Sequence, residues 1–138
     1  MKKTAHITIT GIQDYGSCDE QVTETSAECE YALTAGKYIA TYKESVEGSD
    51  EKLRCIVKFD AHSLEVSKSG PISSRLCFNV KTPYRTFYNT PYGQISLDIN
   101  TQKITFEDHF GEVTLTVLYT MSMNETEPIS YKTTVTLK

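Results

Sequence analysis

Apolar and polar residues alternate with a period of two along nearly all of this chain, and no window carries the spacing of a long amphipathic helix. The clearest stretch sets Leu53, Cys55, Val57 and Phe59 against Arg54, Lys58 and Asp60. Ile95, Leu97 and Ile99 alternate with Gln94, Ser96, Asp98 and Asn100 in the same way. Successive two-sided strands must each bury one face, and here no helix is available to cover it. Such a chain packs two sheets together or closes one on itself, and closure also removes edges open to other molecules.

The punctuation favours closure. A strand is expected over about Thr4–Gln13, ended by the turn residues Asp14-Tyr15-Gly16-Ser17, and a second over about Val22–Leu33. In the second, Ser26, Glu28 and Glu30 mark a water-facing side. Thr34-Ala35-Gly36-Lys37 turns the chain into Tyr38–Glu44. Glu47-Gly48-Ser49-Asp50 is the most linker-like segment and is too short to separate domains, so residues 1–138 form one domain. After the strand around Cys55, a turn at Asp60-Ala61-His62-Ser63 leads to Leu64–Val66, and Gly70-Pro71 interrupts again. Ile72–Val80, Tyr84–Asn89, Gly93–Ile99 and Lys103–Phe106 follow, with Thr90-Pro91-Tyr92-Gly93 as a hairpin turn that has Pro second and Gly fourth. Beyond the Asp108-His109-Phe110-Gly111 turn, a long apolar column from Val113 to Met123 is answered by Ile129, Tyr131, Thr133, Val135 and Leu137. About ten strands joined by short turns read as an antiparallel up-and-down meander. Left open, that sheet would expose a large apolar face; closed, it is an all-β barrel of about eight to ten strands.

Composition excludes several function classes. Fourteen basic and eighteen acidic residues give a net charge of −4, without general attraction to phosphate backbones or anionic lipid. No apolar run approaches the roughly 20 residues that cross a bilayer as a helix. The opening Met1-Lys2-Lys3 resembles the basic start of an export signal, but Ile and Thr then alternate in place of a continuous apolar segment, so a cytoplasmic location is expected. Cys18, Cys29, Cys55 and Cys77 contain no C-x-x-C pair and fit reduced structural thiols. His6, His62 and His109 stand apart from any metal-ligand spacing, so no metal and no cofactor is assigned. There is no nucleophile elbow, phosphate loop or dinucleotide turn, and no residue is assigned a catalytic role.

One stretch carries a resemblance. Val66–Gly70, Ser74-Arg75-Leu76 with Phe78, then Tyr88 and Thr90-Pro91-Tyr92-Gly93 together resemble the YwiB-like family of bacterial proteins, a domain of unknown function. Lys68 fills the family's basic position before the glycine, whereas Ser74 stands where its members carry methionine. The resemblance implies a calycin-like, lipocalin-like barrel and a cytoplasmic protein of Gram-positive-type bacteria. It implies no known reaction.

Two clusters of side chains invite functional readings. Calycin barrels often bind small hydrophobic molecules, and in fatty-acid-binding barrels arginine with tyrosine holds a ligand carboxylate through bidentate bonds. Arg75 with Tyr84, Tyr88 or Tyr92 is the candidate set here, although strand parity places Arg75 and Cys77 opposite Ser74, Leu76, Phe78 and Val80. The sequence also has nine tyrosines and no tryptophan, and Tyr84, Phe87, Tyr88 and Tyr92 are interleaved with Arg85 and preceded by Lys81. That grouping is what a base-stacking platform for single-stranded nucleic acid uses, but the acidic total argues against it. The leading expectation is a non-catalytic binder of a small, partly apolar, carboxylate-bearing ligand. The alternatives are an interaction module with a filled barrel and, last, an enzyme acting at the barrel mouth.

Overall fold

A computed structural model describes residues 3–45, 48, 50–70 and 73–138, together with their side chains except at 88–90. The first two residues of the basic opening, Glu47 and Ser49 of the linker-like segment, and the Pro71-Ile72 step lie outside the described residues. The ten strands are β1 (Lys3–Gln13), β2 (Gln21–Thr34), β3 (Lys37–Ser45), β4 (Lys52–Phe59), β5 (Ser63–Ser69), β6 (Ser74–Asn79), β7 (Tyr84–Thr90), β8 (Gly93–His109), β9 (Glu112–Met123) and β10 (Ile129–Leu137). All pairings are antiparallel, in the order β6-β5-β4-β3-β2-β1-β10-β9-β8-β7. Every sequence neighbour is a spatial neighbour, so the expected meander is what forms. Among the described residues no helix is long and apolar enough to cross a membrane.

The barrel closes first between its terminal strands. β1 and β10 pair from Ile7↔Leu137 to Gln13↔Tyr131, and reciprocal backbone bonds join His6 and Lys138 at 3.0 and 2.9 Å. The remaining seam lies in mid-sequence, where β6 comes to lie beside β7 and β8 without a ladder. Side chains bridge it. The Tyr84 hydroxyl donates to the Arg75 carbonyl at 3.2 Å, and the ring of Phe78 on β6 meets that of Tyr119 on β9 edge-on at 4.6 Å. The result is a nearly closed barrel.

Strand parity decides what is inside. Cys55, Val57 and Phe59 have no exposed surface, nor do Leu115, Val117 and Val135, while Glu28 and Glu30 are exposed on the outer face. One sequence reading is corrected. Gly93–Ile99 and Lys103–Phe106 are not separate strands but parts of β8, which runs 17 residues without a turn. A bulge between Thr101 and Lys103 joins them. It inserts one extra residue, so the inward column passes from Leu97, Ile99 and Thr101 to Ile104 and Phe106. The change from odd to even apolar positions, which reads in sequence as a break, is the mark of that bulge.

A second irregularity shapes the barrel's open end. β2 and β3 pair only from Glu30↔Thr41 to Thr34↔Lys37, and then diverge. The half of β2 from Gln21 to Cys29 has β1 on one side and no ladder partner on the other.

The expected turn after Phe59 shows how polar residues fix local geometry. Asp60 Oδ1 accepts bonds from the N–H groups of His62 and Ser63, both at 2.8 Å, and from the Ser63 hydroxyl at 3.1 Å. Burial pushes the Asp60 pKa up, but these bonds and Lys37 outweigh it and hold the carboxyl below its usual value. A carboxyl depressed on folding stabilises the native state above its unfolded pKa, and that contribution fades as pH falls through the lower folded value. Asp60→Ala is therefore expected to cost about 1–2 kcal/mol at neutral pH. In urea titrations the gap from the parent protein should shrink below about pH 4.

Candidate functional site

The inner faces of six strands leave a cavity of about 340 Å³ at the end of the barrel where β2 runs past β3. Its apolar wall is Leu64 and Val66 of β5 with Leu76 and Phe78 of β6. Tyr119 and Tyr131 add a flat aromatic panel, their rings stacked at 5.3 Å and 6°. Burial raises the Tyr119 hydroxyl's pKa, partly offset by its bond to Thr133 at 3.1 Å, so the phenol stays neutral. Facing this wall is a polar one made by Gln13, Gln21, Thr23, Thr25 and Thr133. Gln21 and Thr23 line the cavity and are also exposed, which places its mouth along the unpaired half of β2. Gly11 sits between the walls, and its missing side chain contributes to the space.

One charged side chain lines the cavity among the described residues: Lys68, at the end of the inward β5 column. Its Nζ is 3.0 Å from Glu44 Oε2, and the same oxygen accepts a long bond from Cys55 Sγ at 3.5 Å. Tyr42 of β3 is the direct cross-strand neighbour of Cys55. Burial, and after it the neighbouring Cys55 and Glu44, raise the Tyr42 pKa well above the usual tyrosine range. Burial likewise raises Cys55, with Glu44 adding to it and Lys68 working against it. Cys55 is thus a protonated thiol with no exposed surface, the opposite of an activated nucleophile. Sequence reasoning missed this group. The signal was present in parity, because Lys68 follows Leu64 and Val66 and Glu44 follows Ala40 and Tyr42 on columns that face inward.

The expected carboxylate clamp is not assembled around this cavity. Arg75 points outward with 63% of its side chain exposed, and its Nε binds Glu65 at 2.7 Å, the cross-strand neighbour of Cys77. Outward is the direction parity gives once Leu76 and Phe78 turn in. Tyr84 packs against the core and spends its hydroxyl on the Arg75 carbonyl. Tyr92 is fully exposed in the β7–β8 turn, and the side chain of Tyr88 lies outside those described. The aromatic-basic cluster is also divided. Tyr84 faces the core and Phe87 the outside, while Arg85 makes two bonds to Asp98, at 2.6 and 2.9 Å. Among the described side chains these residues form no single stacking surface.

A larger depression, about 680 Å³, overlies the β2–β3 divergence from outside, with Glu28 and Glu30 on one lip and Lys43 and Arg54 on the other. It is broad and open, so it excludes water poorly compared with the interior cavity. Among the described residues no cluster of His, Cys, Asp and Glu is placed to hold a metal ion.

Comparison with known proteins fits this architecture. A family model described as a domain of unknown function (DUF1934) matches residues 7–135. The crystal structure of the ywiB protein from Bacillus subtilis superposes with a TM-score of 0.80 at 17% identity, covering 99% of this chain and 92% of that one. At that identity the likeness is one of fold. No curated protein matches the chain.

Proposed function

Because this chain belongs to the DUF1934 family, whose description assigns no activity, we propose its function from the barrel interior: it binds a small, partly apolar molecule without transforming it. The observation that carries this reading is the cavity of about 340 Å³, walled on one side by aliphatic and aromatic groups and on the other by amides and hydroxyls. Pockets of roughly 300–1,000 Å³ with a mainly apolar lining and a few placed polar groups are the usual form of small-molecule sites. A packed-solid interior would have favoured a protein-interaction role. The inert thiol and the lysine ion-paired with Glu44 beside the cavity supply no activated nucleophile, which favours binding over catalysis.

Native mass spectrometry of the protein purified from its own cells tests the reading. A single non-covalent adduct of small mass, lost on denaturation, is the expected result; protein that carries no adduct and takes up no neutral amphiphile when titrated would contradict it. Arg75→Ala should leave the adduct in place, since the guanidinium lies on the outer face and its exposed ion pair with Glu65 contributes little. Loss of the adduct in that variant would return the site to the outside of β6.

A further inference from the structure

We propose that the molecule held in the barrel is uncharged, an apolar chain or ring ending in a hydroxyl or primary amide, and not a carboxylate. This rests on reading the interior as a ligand cavity, and it goes beyond that reading by fixing the class of ligand. The polar wall from Gln13, Gln21, Thr23, Thr25 and Thr133 is neutral throughout and offers both donors and acceptors. Among the described residues Lys68 alone brings a charge to the lining, and that charge is already answered by Glu44 at 3.0 Å.

The pair sets the selectivity. An ammonium has three N–H donors, and Glu44 takes one direction. A ligand hydroxyl or amide oxygen can accept from another while its own hydrogens meet the amide and hydroxyl wall. A ligand carboxylate would instead share one ammonium with the Glu44 carboxylate. Two like charges on one cation repel, and with Lys68 and Glu44 each only about a third exposed, water screens that repulsion incompletely, so one carboxylate would have to take up a proton or give up its contact to stay. Among the described residues no second cation lines the cavity to relieve this, and Arg75 is spent on Glu65 outside the barrel. Cys55 does not relieve it either, because its buried thiol donates to the oxygen that Lys68 already holds.

The test compares 1-octanol, octanamide and octanoate, matched in chain length, by calorimetric titration at neutral pH. The wild-type protein should bind the alcohol and the amide at least tenfold more tightly than the acid. Glu44→Gln keeps the shape and leaves the Lys68 charge uncompensated, so the order should reverse in favour of octanoate. Octanoate binding as well as or better than octanol to the wild type overturns the inference while leaving the cavity reading intact. So does a Glu44→Gln protein that folds and keeps the wild-type order. If Glu44→Gln fails to fold, the wild-type order decides alone. Binding of none of the three overturns both the inference and the proposed function beneath it.

Discussion

Phe59→Ala is expected to lower the stability of the barrel by about 3–5 kcal/mol, the range for removing a fully buried aromatic ring. Phe59 has no exposed surface and is among the largest fully buried side chains described. Its ring stacks on Tyr38 at 5.3 Å, and Tyr38 in turn approaches Tyr31 and Phe106 at 6.4 and 6.2 Å. Those rings come from β2, β3, β4 and β8, so one truncation loosens a layer that spans the barrel. Native domains hold only about 5–15 kcal/mol in total, which makes the loss a large share. Chemical denaturation should show a much lower midpoint with an unchanged slope. Phe59 does not line the cavity, so ligand binding by the fraction still folded should persist.

Gly11→Leu should have the opposite pattern, little effect on stability and a large one on ligand binding. Gly11 lies on the inner face of β1 between Thr23 of β2 and Thr133 of β10. A Cβ there would meet only the Thr23 hydroxyl, at 3.2 Å, so a small shift of that hydroxyl admits it and the rest of a leucine enters the cavity. The backbone is not in the left-handed region that demands glycine. Replacing glycine with a residue that fits also reduces the freedom of the unfolded chain, which offsets the cost of the tight contact. With a good part of about 340 Å³ filled, affinity for a small amphiphile should drop at least tenfold, or about 1.4 kcal/mol.

These expectations draw on different levels of the chain, and the sequence discloses them unequally. The inward positions of Cys55, Val57 and Phe59 follow from alternation alone, because a strand between two neighbours can turn its side chains only in or out. The barrel follows almost as directly from ten such strands without a helix. The position of the seam does not. It depends on β1 and β10 pairing across the full length of the chain, and no local pattern marks β6 and β7 as the strands left without a ladder. The divergence of β2 from β3 after Glu30 is equally hidden, since Gln21–Cys29 alternates as regularly as the paired half.

The site was legible only in part. Arg75 drew attention as the kind of side chain that binds carboxylates, while its own parity already turned it to solvent. Lys68 appeared only as the basic residue before a glycine, yet its column places it beside the cavity. Residue type suggested the first and geometry selected the second. What the alternation could not supply was distance: that Lys68 from β5, Glu44 from β3 and Cys55 from β4 converge on one carboxylate oxygen is a product of register.

The measurement that tests the central claim most directly is a fluorescence titration of the wild type and Gly11→Leu with the neutral probe N-phenyl-1-naphthylamine. A ligand chamber inside the barrel predicts saturable uptake of one probe per wild-type chain, with binding to a folded Gly11→Leu weakened at least tenfold. Unsaturable uptake by the wild type, or equal affinity in the two folded proteins, would show that the interior of this barrel is not where a ligand sits.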